Sequence, residues 1–141
     1  MRVDPSIKDR QDPTPGRYSF RIINAREQVQ KKAPGNSMLF IDLQAVGGPD
    51  YPDGTPSDGM EISTLVMLTF NGMTNPKFSE KNFQDFVFAL GKTVDDFKSM
   101  DAEDLIDLNI DGFVNMRVDK RSGIAEPAID KWAPYADGEE D

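Results

Sequence analysis

Tyr18, Phe20 and Ile22 alternate with Arg17, Ser19 and Arg21, and the same two-residue beat returns at Leu39, Ile41, Leu43 and Ala45. Alternation of this kind puts apolar side chains on one face of an extended strand and polar ones on the other. It commits both segments to a sheet with one buried face. The second segment runs from Met38 to Val46, with Met38, Phe40, Asp42 and Gln44 on its opposite side. A third alternating stretch, Glu61 to Phe70, carries Ile62, Thr64, Val66 and Leu68. The beat then changes. Ser79 reads as the N-cap of a helix bearing Phe83, Phe86, Val87 and Leu90 at i, i+3, i+4 and i+7, closed by Gly91. A further helical turn is expected from Asp101, with Leu105 and Ile106 inward. Asp111 to Val118 reads as a fourth strand with Val114, Met116 and Val118 on one side. Ile124 to Trp132 reads as a fifth, at a sheet edge because Pro127 interrupts it.

The joints between these elements are polar. Residues 1–15, with Pro5, Pro13 and Pro15, form an extended lead-in; Lys31 to Asn36 and Asp119 to Gly123 read as turns, and Gly47 to Gly59 as a longer Gly/Pro/Asp connection. From Ala133 onward there is no core pattern, so a mobile acidic C-terminal tail is expected over 133–141, and one domain over 16–132. There is no internal repeat. Three strands, a helical insertion and two strands is the order of the OB-fold, a five-stranded Greek-key barrel. Its binding face is made by strands 2 and 3 with the loops joining strands 1–2 and 4–5.

Composition removes whole classes of function. The chain has no cysteine, hence no disulfide framework or thiolate metal site, and no histidine, hence no Ser-His triad and no usual zinc ligand. No enzyme activity and no cofactor are expected. The apolar runs are far too short for a membrane helix, and MRVDPSIKDRQDPTPG lacks the apolar core of a signal peptide. A soluble, cytoplasmic protein is the expectation.

Charge is the other strong signal. Twenty-five acidic residues face 16 basic ones, and the imbalance is concentrated late: residues 1–70 hold 8 basic and 9 acidic groups, residues 71–141 hold 8 and 16. A broad basic footprint for duplex DNA is therefore absent. Screening beyond about 8 Å still lets local patches act. The only adjacent basic pairs are Lys31-Lys32 and Lys120-Arg121, which fall in the two loops that flank an OB-fold binding face. Single-strand binding needs cations along the phosphates and rings to stack on bases, each worth about 1–3 kcal/mol. The cations expected here are Lys31, Lys32, Arg117, Lys120 and Arg121, with Arg17, Arg21 and Arg26 extending the track. The rings are Phe40 and Phe113, on the outward sides of strands 2 and 4, and Trp132 and Tyr135 near the chain's end.

Pro15-Gly16-x-Tyr18-x-Phe20, the Lys-rich loop running into Asn36-Ser37-Met38-Leu39, the Phe-rich helix ending Ala89-Leu90-Gly91, and Asp104-Leu105 through Val118 together resemble a group of bacteriophage proteins. These are small OB-fold single-stranded-DNA-binding proteins of phage replication modules, and the resemblance covers residues 15–132. It implies single-stranded DNA as partner, a role in phage replication or recombination, and location in the host cytoplasm if phage-encoded. It also implies recruitment of replication or recombination proteins by an acidic tail, here Asp137, Glu139, Glu140 and Asp141. Self-association stays open. The Asp53–Asp58 loop and the acidic 95–111 segment depart from that pattern and argue against a wide DNA footprint.

Two other motifs carry less. Asp107-Leu108-Asn109-Ile110-Asp111-Gly112 matches the opening of a calcium loop, but the twelfth position, which should supply a bidentate carboxylate, is Val118. Helix end, Asp-Gly turn and strand is the simpler reading. Asp101, Glu103, Asp104 and Asp107 have the chemistry for a Mg²⁺ site, yet they read as an N-cap and first turn that complement a helix dipole. The competing function is a structural or assembly protein of a virion on a β-barrel scaffold. Its mark would be a large apolar surface patch in place of a basic groove.

Overall fold

The alternating stretches become one antiparallel sheet. The computed structural model describes residues 1–136. Among them are β1 (Gly16–Val29), β2 (Ser37–Gly47), β3 (Glu61–Met67), α1 (Pro76–Ala89), α2 (Val94–Lys98), a single 3-10 turn (Ala102–Leu105), β4 (Asn109–Val118) and β5 (Ala125–Ala133). The strand order is β3-β2-β1-β4-β5. Length explains the centre: β1 has fourteen residues, enough to pair with β4 through Gly16–Arg21 and with β2 from Ser19 to Val29. The sheet is not closed. β3 and β5 come near one another without a hydrogen-bond ladder, and α1 packs against both.

The inner face is the one the alternation marks. Tyr18, Phe20, Ile22, Leu39, Ile41 and Leu43 are buried, joined by Ile62 and Val66 of β3. Helix α1 seals the open side by sinking Phe86 and Val87 into the core. Phe86 meets Trp132 of β5 edge-on at 5.1 Å between ring centroids and Phe97 of α2 at 6.3 Å. Edge-to-face pairs add about 0.5–1.5 kcal/mol each beyond the area they bury. Tyr18 closes the other end. Its ring lies so near Gly48 that a Cβ there would fall 2.4 Å from a ring carbon, so only glycine fits. Its hydroxyl donates to the Thr14 carbonyl at 2.6 Å, and burial pushes the phenol pKa up.

Several boundaries differ from expectation, each for a local reason. Helix α1 begins at Pro76 rather than after Ser79; proline suits the first helical turn, and Asn75 precedes it without a side-chain cap. Gly91 ends it as expected, at φ 75°. Helix α2 was not anticipated. It is capped by Thr93 and Asp96, which exchange side-chain and backbone bonds reciprocally. The turn after Asp101 is 3-10; Asp101 N–H donates to the Asp104 carboxylate at 2.8 Å, and Asp104 N–H donates to the Asp101 carbonyl at 3.0 Å. Strand β4 starts at Asn109, so Asp111-Gly112 is no turn: Asp111 pairs with Ser19 and Gly112 with Tyr18 inside the sheet. The turn precedes it at Asp107, whose φ is 75°, a conformation aspartate tolerates better than most. Strand β3 stops at Met67, and β5 runs one residue beyond Trp132. Residues 1–15 carry no helix or strand, but they are fastened. Arg10 donates to the Ala125 carbonyl at 2.7 Å, Gln11 to Asp53 at 2.8 Å and Thr14 to the Asp50 carbonyl at 2.6 Å. No helix of the described residues is long and apolar enough to cross a membrane.

Candidate nucleic-acid interface

The outer face of β1, β2 and β3 is built of cross-strand rungs. Pairing sets Gln28 beside Met38 and Met67, Arg26 beside Phe40 and Leu65, Asn24 beside Asp42 and Ser63, and Arg21 beside Gln44 and Glu61. A break in register between Ile22 and Asn24 makes this possible. Counting by twos from Arg17 and Arg21 would send Arg26 inward. The bulge inserts one residue, so Ala25 is buried and Asn24, Arg26 and Gln28 face out. That is why Arg26 is not readable as the partner of Phe40 from spacing alone.

On the second rung the Arg26 guanidinium lies over the Phe40 ring, 4.9 Å from its centroid. Arg26 makes no ion pair among the described residues. Leu65, across the strand, is 41% exposed. On the third rung Asp42 accepts from the Ser63 hydroxyl at 2.6 Å and from the Asn24 amide at 3.4 Å. These two rungs line an open groove of about 1030 Å³, whose opposite side is supplied by Asp119 and Glu126 of the β4–β5 hairpin. Among the described residues the groove thus holds one cation, Arg26, and three carboxylates.

The cations gather at its margins. Lys31 and Lys32 line a second depression with Gln28 and Met38, the rung next to Arg26 and Phe40. Neither lysine makes an ion pair among the described residues. Their loop is anchored by Asn36, which is buried. Its side-chain amide donates to the Asn71 carbonyl at 2.9 Å, and its oxygen accepts from Asn71 N–H at 2.8 Å and the Thr69 hydroxyl at 3.0 Å. The Ala33–Pro34 peptide in this loop is cis. Lys120 and Arg121 sit at the tip of the β4–β5 hairpin, immediately after the groove residue Asp119, and both are exposed.

Other expected site residues fall elsewhere. Trp132 is buried against Phe86 and donates its indole N–H to Asn82 at 3.1 Å, so it is a core ring and no stacking platform. The reason is phase: β5 turns Trp132 toward α1 and leaves Lys131 on the outside. Arg117 is forked onto Asp130, and Arg21 bonds Asp107 at 3.4 Å and Gln44 at 3.1 Å, so both cations are already matched. Phe113 does face out, between Arg17 at 5.7 Å and Lys131 at 5.6 Å. It lies nine residues of β1 away from the Phe40 rung, about 30 Å at 3.3 Å per residue. Arg17 in turn is bound to Asp111, whose side chain is 2% exposed and also accepts from Ser19 at 2.7 Å. Asp111 is therefore a buried counter-charge in a strand, not a member of a calcium loop. Asp137, Glu139, Glu140 and Asp141 lie outside the described residues.

Sequence reasoning missed Asn36, Asp42 with its two partners, and Lys131 beside Phe113. Only strand register reveals the last two; Asn36 carries a weak signal, a polar residue ending a Pro-Gly loop. Compared with known proteins, the chain matches no family model, and no curated sequence matches it.

Proposed function

We propose that the chain is an OB-fold module that binds single-stranded DNA by phosphate neutralisation and base stacking, with no need for a sequence motif. The observation that carries this reading is the Arg26–Phe40–Leu65 rung. It is a half-buried ring, a guanidinium and an exposed aliphatic side chain in one open groove, edged by two basic pairs; among the described residues neither the guanidinium nor the pairs make an ion pair. Bases stack on ring faces, and a guanidinium held, among the described residues, by the ring alone shifts at small cost to admit a base between them. The barrel assignment is supported by the strand order and by the approach of β3 to β5 beneath α1. In an OB-fold the face of strands 2 and 3, with the 1–2 and 4–5 loops, receives the ligand. The role in phage replication or recombination rests on the sequence resemblance. An acidic tail as a hook for partner proteins rests on it too.

The three groove carboxylates keep the expected affinity modest and salt-sensitive. Contact with four or five phosphates gives a log–log salt slope of about −3. Anisotropy of an end-labelled oligo-dT across a salt series tests this; buried Trp132 is a poor reporter. No binding at low salt, or binding indifferent to salt, overturns the proposal.

A second reading has one observation behind it. Phe78 and Phe88 of α1 are 68% and 72% exposed, on the same side of the helix as the Lys81–Asp85 pair. An interaction protein would use that surface. Copurification of a protein partner without any oligonucleotide shift favours it.

A further inference from the structure

Asp42 occupies the rung beside Phe40, about 6.6 Å along the strand, and it is the carboxylate set into the groove's sheet floor. Ser63 and Asn24 hold it from either side through one oxygen each, at 2.6 Å and 3.4 Å. A carboxylate has about four acceptor sites, so two such bonds fix its plane and leave acceptor capacity facing the groove. Phosphate is repelled from this position, and Asp119 and Glu126 repel it from the facing wall. The cations that make no ion pair among the described residues stand at the margins, at Lys31, Lys32, Lys120 and Arg121. A strand satisfying both conditions runs its phosphates along the rim and turns its bases inward. A base stacked at Phe40 then offers its pairing edge to Asp42.

We infer that Asp42 reads that edge, and that the groove favours guanine at the Phe40 position. The inference rests on the single-strand reading and adds a preference to it. Guanine alone presents two adjacent donors, N1–H and the 2-amino group, which match the two oxygens of one carboxylate. Thymine offers a single N–H between two carbonyl oxygens that a carboxylate repels. Adenine and cytosine offer one amine beside an acceptor. Stacking supplies affinity for every base; Asp42 supplies the difference between them.

The test uses the full chain and four end-labelled oligonucleotides: oligo-dT, and oligo-dT with one central guanine, hypoxanthine or adenine. Guanine in a thymine host avoids self-association, and hypoxanthine lacks only the 2-amino group. The guanine oligonucleotide should bind about fivefold more tightly than oligo-dT, the factor corresponding to ~1 kcal/mol. Hypoxanthine should forfeit most of that gain. In Asp42→Asn the guanine preference should vanish while affinity for oligo-dT rises, because a negative charge has left the groove. Equal binding of guanine and hypoxanthine by the wild-type chain overturns the inference without needing any variant. So does a guanine preference that survives Asp42→Asn. Failure of every oligonucleotide to bind at low salt removes the single-strand reading itself, a result distinct from binding without preference.

Discussion

The aromatic rings of the two faces of the sheet have opposite kinds of cover. Inside, Phe86 is enclosed by Trp132, Phe97 and the sheet, with no exposed surface. Outside, Phe40 is covered by one guanidinium and Phe113 by two cationic side chains. Inner cover is carbon and comes off only when the domain unfolds. Outer cover is a charged side chain that exchanges with solvent on the timescale of rotamer flips. The difference teaches which rings hold the fold and which are available to a ligand, although all appear as similar letters in the sequence.

The largest expected effect tests the inner half of that contrast. Phe86→Ala removes a fully buried ring and should cost about 3–5 kcal/mol, read in urea denaturation followed by Trp132 emission. A loss under 1 kcal/mol would mean that α1 does not seal the core. Next is Asn36→Ala, which leaves the Asn71 N–H without its partner; a buried unpaired donor costs about 1–3 kcal/mol. The melting temperature should fall and exchange of the Asn71 amide should quicken. Phe40→Ala sharpens the comparison from outside. Oligonucleotide affinity should drop by about 1–3 kcal/mol with the denaturation midpoint nearly unchanged; equal losses in both would make Phe40 a packing residue. Replacing Lys31 and Lys32 together by alanine should flatten the salt slope by about 1.4, at 0.7 per phosphate, with no change in stability.

The smallest effect lies off both faces, at the cap of α2. Hydrogen bonds from the backbone and then the hydroxyl of Thr93 hold the Asp96 carboxyl below its ordinary 3.8. A carboxyl depressed in the folded state contributes stability that is complete above its unfolded pKa. That contribution is lost as pH falls through the lower folded value. Asp96→Asn should therefore narrow the stability gap to the wild-type chain only below about pH 4, as followed by melting in an acid series.

Much of the inner face was legible. Tyr18, Phe20, Ile22, Leu39, Ile41 and Leu43 are buried as the alternation requires, because a half-buried strand has no other way to hide them. Phe86 and Val87 follow the helical stripe for the same reason. The candidate site was legible only in outline. Phe40 and the two basic pairs could be picked out as outward or loop residues, but what each one meets depends on register. Arg117 looks like a free cation until Asp130, thirteen residues later, is folded across from it. Trp132 looks like a terminal ring until α1 is packed on β5. Asp111 looks like part of a turn until β1 supplies Arg17 and Ser19. In each case the missing information is a long-range pairing, which no local pattern contains.

The bulge at Ile23 has a consequence for the chain's history. A strand that kept residue 23 but paired it regularly, one residue against one, would swap the two sides of everything that follows. Arg26 would be driven under α1's side of the sheet and Ala25 would surface beside Phe40. A single codon lost at position 23 would remove only the extra residue, leaving Ile22 opposite Leu43 and Arg26 opposite Phe40. Lineages carrying this groove should therefore survive the loss of residue 23, and should reject letters that let it pair regularly in place.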